Sequence, residues 1–174
     1  MSTISKKICL FGDFGVGKTS LIRQFVESQF SDEYLSTVGV KISRKLISFS
    51  KKDLYFEKDL QLLIWDIEGS NKFKTVAPNY FQGSKGAVIV GDVTQPETLN
   101  HLQEHIQTFL AVNPKSYIVV ALNKSDMIAS EYLEKIRQKY QFSNQINILD
   151  TYITSAKTGN NVDEMFQTLA THLI

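Results

Sequence analysis

The sequence predicts an α/β fold with a largely parallel sheet and helices on both faces. Short apolar runs rich in β-branched residues alternate with segments whose apolar residues recur every three or four positions. The later runs are almost continuously apolar, as strands buried on both faces are. A glycine-rich stretch, Gly12–Thr19, joins the first run to the first helical segment. With 174 residues, 43% of them hydrophobic and 21% charged, the chain has enough apolar material for one core, and residues 1–174 read as a single domain.

The expected strands are Lys7–Phe11, Val40–Phe49, Leu60–Trp65, Ala87–Gly91, Tyr117–Leu122 and Ile146–Tyr152. The second and third follow one another with only a polar connection, Ser50-Lys51-Lys52-Asp53, and read as an antiparallel hairpin. The sheet is therefore six-stranded and mostly parallel, with one antiparallel strand. A first helix is expected from Lys18 to Phe25. Further on, Leu99, Leu102, Ile106, Phe109 and Leu110 form one core-facing stripe, Leu133, Ile136 and Tyr140 another, and Val162, Met165, Phe166, Leu169 and Leu173 a third. Thr94-Gln95-Pro96-Glu97 reads as a capping box with proline in the first turn, which starts a helix near Gln95. About five helices are expected in all.

Composition excludes several function classes. The 19 Lys and Arg against 18 Asp and Glu leave a net charge of +1, too little to gather nucleic acid or an anionic membrane. Any anion must be held locally. Cys9, the single cysteine, lies in an apolar run and reads as a buried small hydrophobe suited to a reducing cytoplasm. There is no signal-like N-terminus and no run near the roughly 20 apolar residues of a membrane span. Neither Ser2 nor the ending Thr171-His172-Leu173-Ile174 encodes a lipid anchor, so a peripheral membrane location would need a lipidated tail beyond this sequence. His101, His105 and His172 show no metal-ligand pattern and read as surface residues.

The stretch Gly12-Asp13-Phe14-Gly15-Val16-Gly17-Lys18-Thr19, followed by Ser20, matches the phosphate-loop pattern G-x-x-x-x-G-K-[ST] between a strand and a helix. Glycines let successive backbone N–H groups turn inward around a β-phosphate, and the helix N-terminus adds partial positive charge. Lys18 is expected on the β- and γ-phosphates, with the Thr19 hydroxyl on Mg²⁺.

Asn123-Lys124-Ser125-Asp126 closes a buried strand, where open α/β sheets place ligand contacts. The Asp126 carboxylate can accept from guanine N1–H and the exocyclic amine, whereas adenine presents an acceptor at N1 and nothing at C2. Ser155-Ala156-Lys157, after the last strand, offers a backbone N–H to the guanine oxygen.

Taken together, Gly12–Thr19, Thr37, Asp66-Ile67-Glu68-Gly69, Asn123–Asp126 and Ser155–Lys157 resemble the Ras superfamily of small GTPases in order and spacing across essentially the whole chain. Ser36–Val40, Trp65, Lys72-Phe73 and Asn79-Tyr80-Phe81 look most like its Rab members. The resemblance implies a P-loop G domain that binds GTP or GDP with Mg²⁺ and hydrolyses GTP. It implies Phe30 packed on the guanine, Thr37 on Mg²⁺ and the γ-phosphate, Asp66 on Mg²⁺ through water, and the Gly69 N–H on the γ-phosphate. Loss of that phosphate would release the Thr37 and Gly69 segments. Implied partners are an effector docking on Thr37–Val40, Trp65 and Tyr80, with an exchange factor and an activating protein as regulators.

Three positions depart from the family. Ser70 stands where a water-positioning glutamine is expected, Phe14 where a small residue leaves room beside the γ-phosphate, and Glu68 where a small residue is usual. A serine hydroxyl is too short to orient water as the longer amide would, so hydrolysis is expected to be slow. A GTP-bound scaffold that scarcely hydrolyses and is governed by nucleotide exchange is the alternative. Glu68 reads as a solvated charge in preference to a water-orienting carboxylate. The Lys51 to Asp59 stretch is longer than in the family, a tolerated loop insertion.

Overall fold

The computed structural model describes residues 2–33, 36–50 and 58–174. The expected connection at Lys51–Asp53 and most of the inserted loop lie outside these residues. The six strands are β1 (Ser2–Gly12), β2 (Val40–Phe49), β3 (Lys58–Ile67), β4 (Gly86–Asp92), β5 (Tyr117–Asn123) and β6 (Ile148–Ile153). They form one sheet in the order β2-β3-β1-β4-β5-β6, parallel except for β2, which runs antiparallel to β3.

The helices are α1 (Lys18–Glu27), α2 (Asn71–Lys74), α3 (Ala77–Phe81), α4 (Pro96–Asn100), α5 (Leu102–Val112), α6 (Ser130–Lys139) and α7 (Val162–Thr171). Only His101 separates α4 from α5, and two residues separate α2 from α3, so the seven described segments form five helical units. No helix among the described residues is long and apolar enough to cross a membrane.

Burial follows the predicted stripes. β4 is buried along its whole length and β5 beyond Tyr117, since both lie inside the sheet with helices on each face. One core layer packs Leu21, Phe25, Met165, Phe166 and Leu169 of α1 and α7 against Ile8, Leu10, Val88 and Val119. The other packs Phe81, Leu102, Ile106 and Phe109 of α3 and α5 against Cys9, Phe11, Ile89 and Val120. Cys9 is fully buried beside Ser84, Sγ to Oγ 2.9 Å, and burial pushes its thiol up to about 11. It is the small core hydrophobe its context indicates.

β1 begins five residues before the predicted Lys7, because β3 offers a parallel partner from Lys58 onward. β6 starts at Ile148, leaving Ile146 exposed ahead of it. The Thr94 capping box does not form. The buried Asp92 carboxylate takes both the backbone N–H (2.8 Å) and the hydroxyl (2.6 Å) of Thr94. A buried carboxylate without donors costs more than an uncapped helix start, so α4 begins after Gln95 without a side-chain cap.

Candidate functional site

The segments that follow β1, β3, β5 and β6 surround a cavity of about 370 Å³. Its lining brings together Phe14, Gly15, Gly17, Lys18, Thr19 and Ser20 from the loop after β1, with Phe30, Thr37 and Gly69. It also includes Asn123, Lys124, Asp126, Ala156 and Lys157 from the other end. Motifs 100 and more positions apart thus share one space, of the size small-molecule sites occupy.

At one end the glycine-rich loop wraps the first turn of α1. Lys18 is 6% exposed, and its Nζ donates to the carbonyls of Gly12 (3.0 Å) and Asp13 (2.8 Å). Burial lowers its pKa to about 8, partly offset by Asp66, Asp13 and Glu68. Gly17 must be glycine: its φ is +99°, and a β-carbon would come 2.4 Å from Asn123 Nδ2. Gly69 lies so close over the loop that a β-carbon would sit 2.5 Å from the Gly12 carbonyl oxygen and 2.6 Å from Lys18 Nζ.

The hydroxyls of Thr19 and Thr37 lie against each other, and both reach Asp66 Oδ2. Asp66 is 1% exposed, and its other oxygen, Oδ1, is buried with no partner among the described residues. Two hydroxyls and a carboxylate with an unsatisfied oxygen are the donor set of a hard divalent cation.

At the other end Asn123 ties the two motifs together, its Nδ2 donating to the Val16 carbonyl at 3.0 Å. Lys124 Nζ donates to the Gly15 carbonyl at 2.8 Å and lies 2.8 Å from Oδ2 of the fully buried Asp92. The Ser155 hydroxyl holds Asp126 Oδ1 at 2.7 Å, and Asp126, an exposed residue, lines the cavity.

Gly12, Asp13, Val16 and Ser155, also expected at the ligand, are not among the residues that line the cavity. The Val16 side chain is buried in the core, Ser155 positions Asp126, and the Asp13 side chain turns away toward α5. There the histidines require a correction, because His105 is 2% exposed and not a surface residue. His105 Nε2 and His101 Nδ1 donate to the two Asp13 oxygens at 2.7 and 2.6 Å. Burial raises the Asp13 pKa, but the hydrogen bonds and the charge interactions with the two histidines together outweigh it and hold the carboxyl below its usual value. The spacing of four was the available signal; the carboxylate that stands opposite both rings was not. Met127 and Asp32 also join the cavity lining, with Asp32 Oδ1 3.9 Å from Lys157 Nζ.

Ser70 and Glu68 do not line the cavity. The Ser70 hydroxyl donates to Glu68 Oε1 at 2.5 Å, and its oxygen accepts the Phe73 N–H at 3.3 Å, capping α2. Glu68 Oε2 accepts the Gly39 N–H at 2.6 Å. Glu68 is thus a half-buried, tied carboxylate and not a freely solvated charge; the Gly39 and Ser70 bonds hold its pKa below the usual value.

With this geometry in hand, residues 7–174 match the model of the Ras family. The chain belongs to the Ras family. Its relatives place it nearer the Rab members. It is 35% identical to Ras-related protein Rab-22A of Homo sapiens over 163 residues, covering 92% of this chain and 79% of that protein. It is 32% identical to GTP-binding protein ypt4 of Schizosaccharomyces pombe over 168 residues, covering 97% and 71%. It is 32% identical to Ras-related protein Rab-1A of Dictyostelium discoideum over 171 residues, covering 96% and 79%. This Rab-like small GTPase has the six-stranded sheet with one antiparallel strand that the pattern of apolar runs predicts.

Proposed function

We propose that residues 1–174 form one G domain that binds GTP or GDP with Mg²⁺ in the 370 Å³ cavity and cleaves the γ-phosphate of GTP slowly. In its GTP form it recruits an effector through Thr37–Val40, Trp65 and Tyr80, and an exchange factor and an activating protein regulate it. The observation that carries this is the convergence of Lys18 and Thr19 with Asn123, Lys124 and Asp126 in one cavity.

The free Asp126 oxygen and the Ala156–Lys157 backbone face the guanine, and Phe30, at the cavity wall, packs on its ring. Lys18 exchanges its loop carbonyls for the β- and γ-phosphates, whose charge compensates its burial. Thr19, Thr37 and Asp66 would hold Mg²⁺, which supplies charge neutralisation between the phosphates. Gly69 needs no side chain because its N–H approaches the γ-phosphate beside Lys18.

A second reading, a GTP-bound scaffold that scarcely hydrolyses, is favoured by where the hydroxyl of Ser70 goes. Ser70 and both Glu68 oxygens are engaged with each other, Gly39 and α2, so neither is aimed at a nucleophilic water. Phe14, 53% exposed at the cavity, stands in the approach of an arginine finger, a group that contributes about 10³ to 10⁵ in rate elsewhere. Single-turnover hydrolysis of bound GTP in saturating Mg²⁺ separates the two readings. Slow but measurable wild-type cleavage, raised in Ser70→Gln and further in the Phe14→Gly, Ser70→Gln double variant, supports the slow switch. A wild type that is inert until doubly substituted supports the scaffold. Wild-type cleavage as fast as the double variant contradicts both.

A further inference from the structure

Glu68 stands between Asp66 and Gly69, where β3 leaves the sheet. Its N–H donates to the Gly39 carbonyl at 2.9 Å, continuing the β2–β3 ladder one step past Val40 and Ile67. The side chain supplies the return bond: Gly39 N–H donates to Oε2 at 2.6 Å. Oε1 takes the Ser70 hydroxyl at 2.5 Å, and Ser70 caps α2 through the Phe73 N–H. One carboxylate therefore joins the segment behind Thr37 to the start of α2. The small residue usual in the family has no acceptor to offer Gly39.

Every partner in this chain of bonds belongs to the protein. The γ-phosphate contacts proposed above for Thr37 and Gly69 are lost with that phosphate; the bonds of Glu68 are not. A ligand shifts an equilibrium only by its differential interaction with the two states. Where a ligand-independent clasp already favours the joined arrangement, the γ-phosphate has less left to shift. Beside the clasp lie exposed or half-exposed apolar residues: Val38 (88%), Ile42 (50%), Tyr80 (37%) and Trp65.

We propose that Glu68 is a positioning residue that keeps the Val38–Val40 segment and α2 joined in both nucleotide states. The apolar surface beside them then differs less between the GTP and GDP forms than the Thr37 and Gly69 contacts alone would make it. A partner docking there by apolar contact discriminates weakly between the two forms. This rests on the nucleotide reading above.

Hydrogen exchange tests it, on wild type, Glu68→Ala and the near-isosteric Glu68→Gln, each loaded with GDP or a non-hydrolysable GTP analogue in Mg²⁺. Wild-type peptides covering residues 37–40 and 69–73 should differ between nucleotides by less than about threefold in protection. In Glu68→Ala, protection in the GDP form should fall roughly tenfold, as loss of about one net hydrogen bond gives, while the GTP-analogue form changes little. Glu68→Gln, whose amide oxygen still accepts from one donor, should fall between, and unchanged protection in β4 and β5 reports an intact fold. A large nucleotide difference in wild type, or no Glu68 effect in a protein retaining both nucleotides, overturns the clasp alone. A wild type that retains neither nucleotide overturns the nucleotide reading and the clasp with it.

Discussion

Asp126 lines the cavity while Ser155 holds only one of its oxygens, so its role in choosing a base is separable from its support. Asp126→Asn presents an amide that can face a xanthine carbonyl, which a carboxylate repels. In a competition assay GDP affinity should fall at least about a hundredfold, the loss of two bonds to a charged acceptor, while the xanthine nucleotide gains. Unchanged guanine preference would remove Asp126 from the base pocket. Asp13 makes a different prediction. Its folded-state pKa lies below its unfolded value, so its stabilisation is present above the unfolded pKa and lost as pH falls through the folded one. Asp13→Asn should therefore be less stable than wild type at pH 7 in urea unfolding, with the gap closing below about pH 4. A gap independent of pH would mean that His101 and His105 do not act on the carboxylate.

At the scale of elements, α1 and α7 cover one face of the sheet, and Phe25 and Phe166 stack between them, centroids 4.1 Å apart and 10° from parallel. Both rings are buried, so Phe166→Ala should cost about 3–5 kcal/mol in denaturant unfolding, as other large core truncations do. A cost below about 1 kcal/mol would show that the helices repack. The turn between β1 and α1 is constrained by contact and by backbone: Gly17→Ala adds a β-carbon at φ +99° and 2.4 Å from Asn123 Nδ2. The loop must shift off Asn123, and nucleotide affinity should drop at least about tenfold, more than one bond's worth, with the thermal midpoint affected far less. Equal affinity would mean that loop and base motif are not coupled through Asn123.

Over the whole molecule, what was legible in the sequence was what local pattern determines. Runs such as Ala87–Gly91 are apolar without alternation because helices cover both faces, and that pattern is visible without knowing which helices. The phosphate loop and Asn123–Asp126 were legible because backbone approach and base pairing restrict the residue types that serve. The rest depended on contacts distant in sequence. His105 has no local mark that distinguishes a surface imidazole from one buried against a carboxylate 92 positions away. Thr94 has the spacing of a cap, yet the buried Asp92 takes its hydroxyl. Glu68 reads as a loop charge until Gly39 is brought beside it. The first strand extends to Ser2 because β3 is there to pair with it, not because Ser2–Lys6 is apolar. Lys18, Thr19, Asn123 and Asp126 nonetheless line one cavity, and the function proposed for the protein stands on that cavity holding a guanine nucleotide. Equilibrium binding of GDP and ADP to the purified chain in Mg²⁺ tests it most directly. GDP should bind at least about 10³-fold more tightly than ADP, because a site built to hydrogen-bond the guanine edge rejects a base that leaves its polar groups unpaired; equal affinities, or no binding of either, would contradict it.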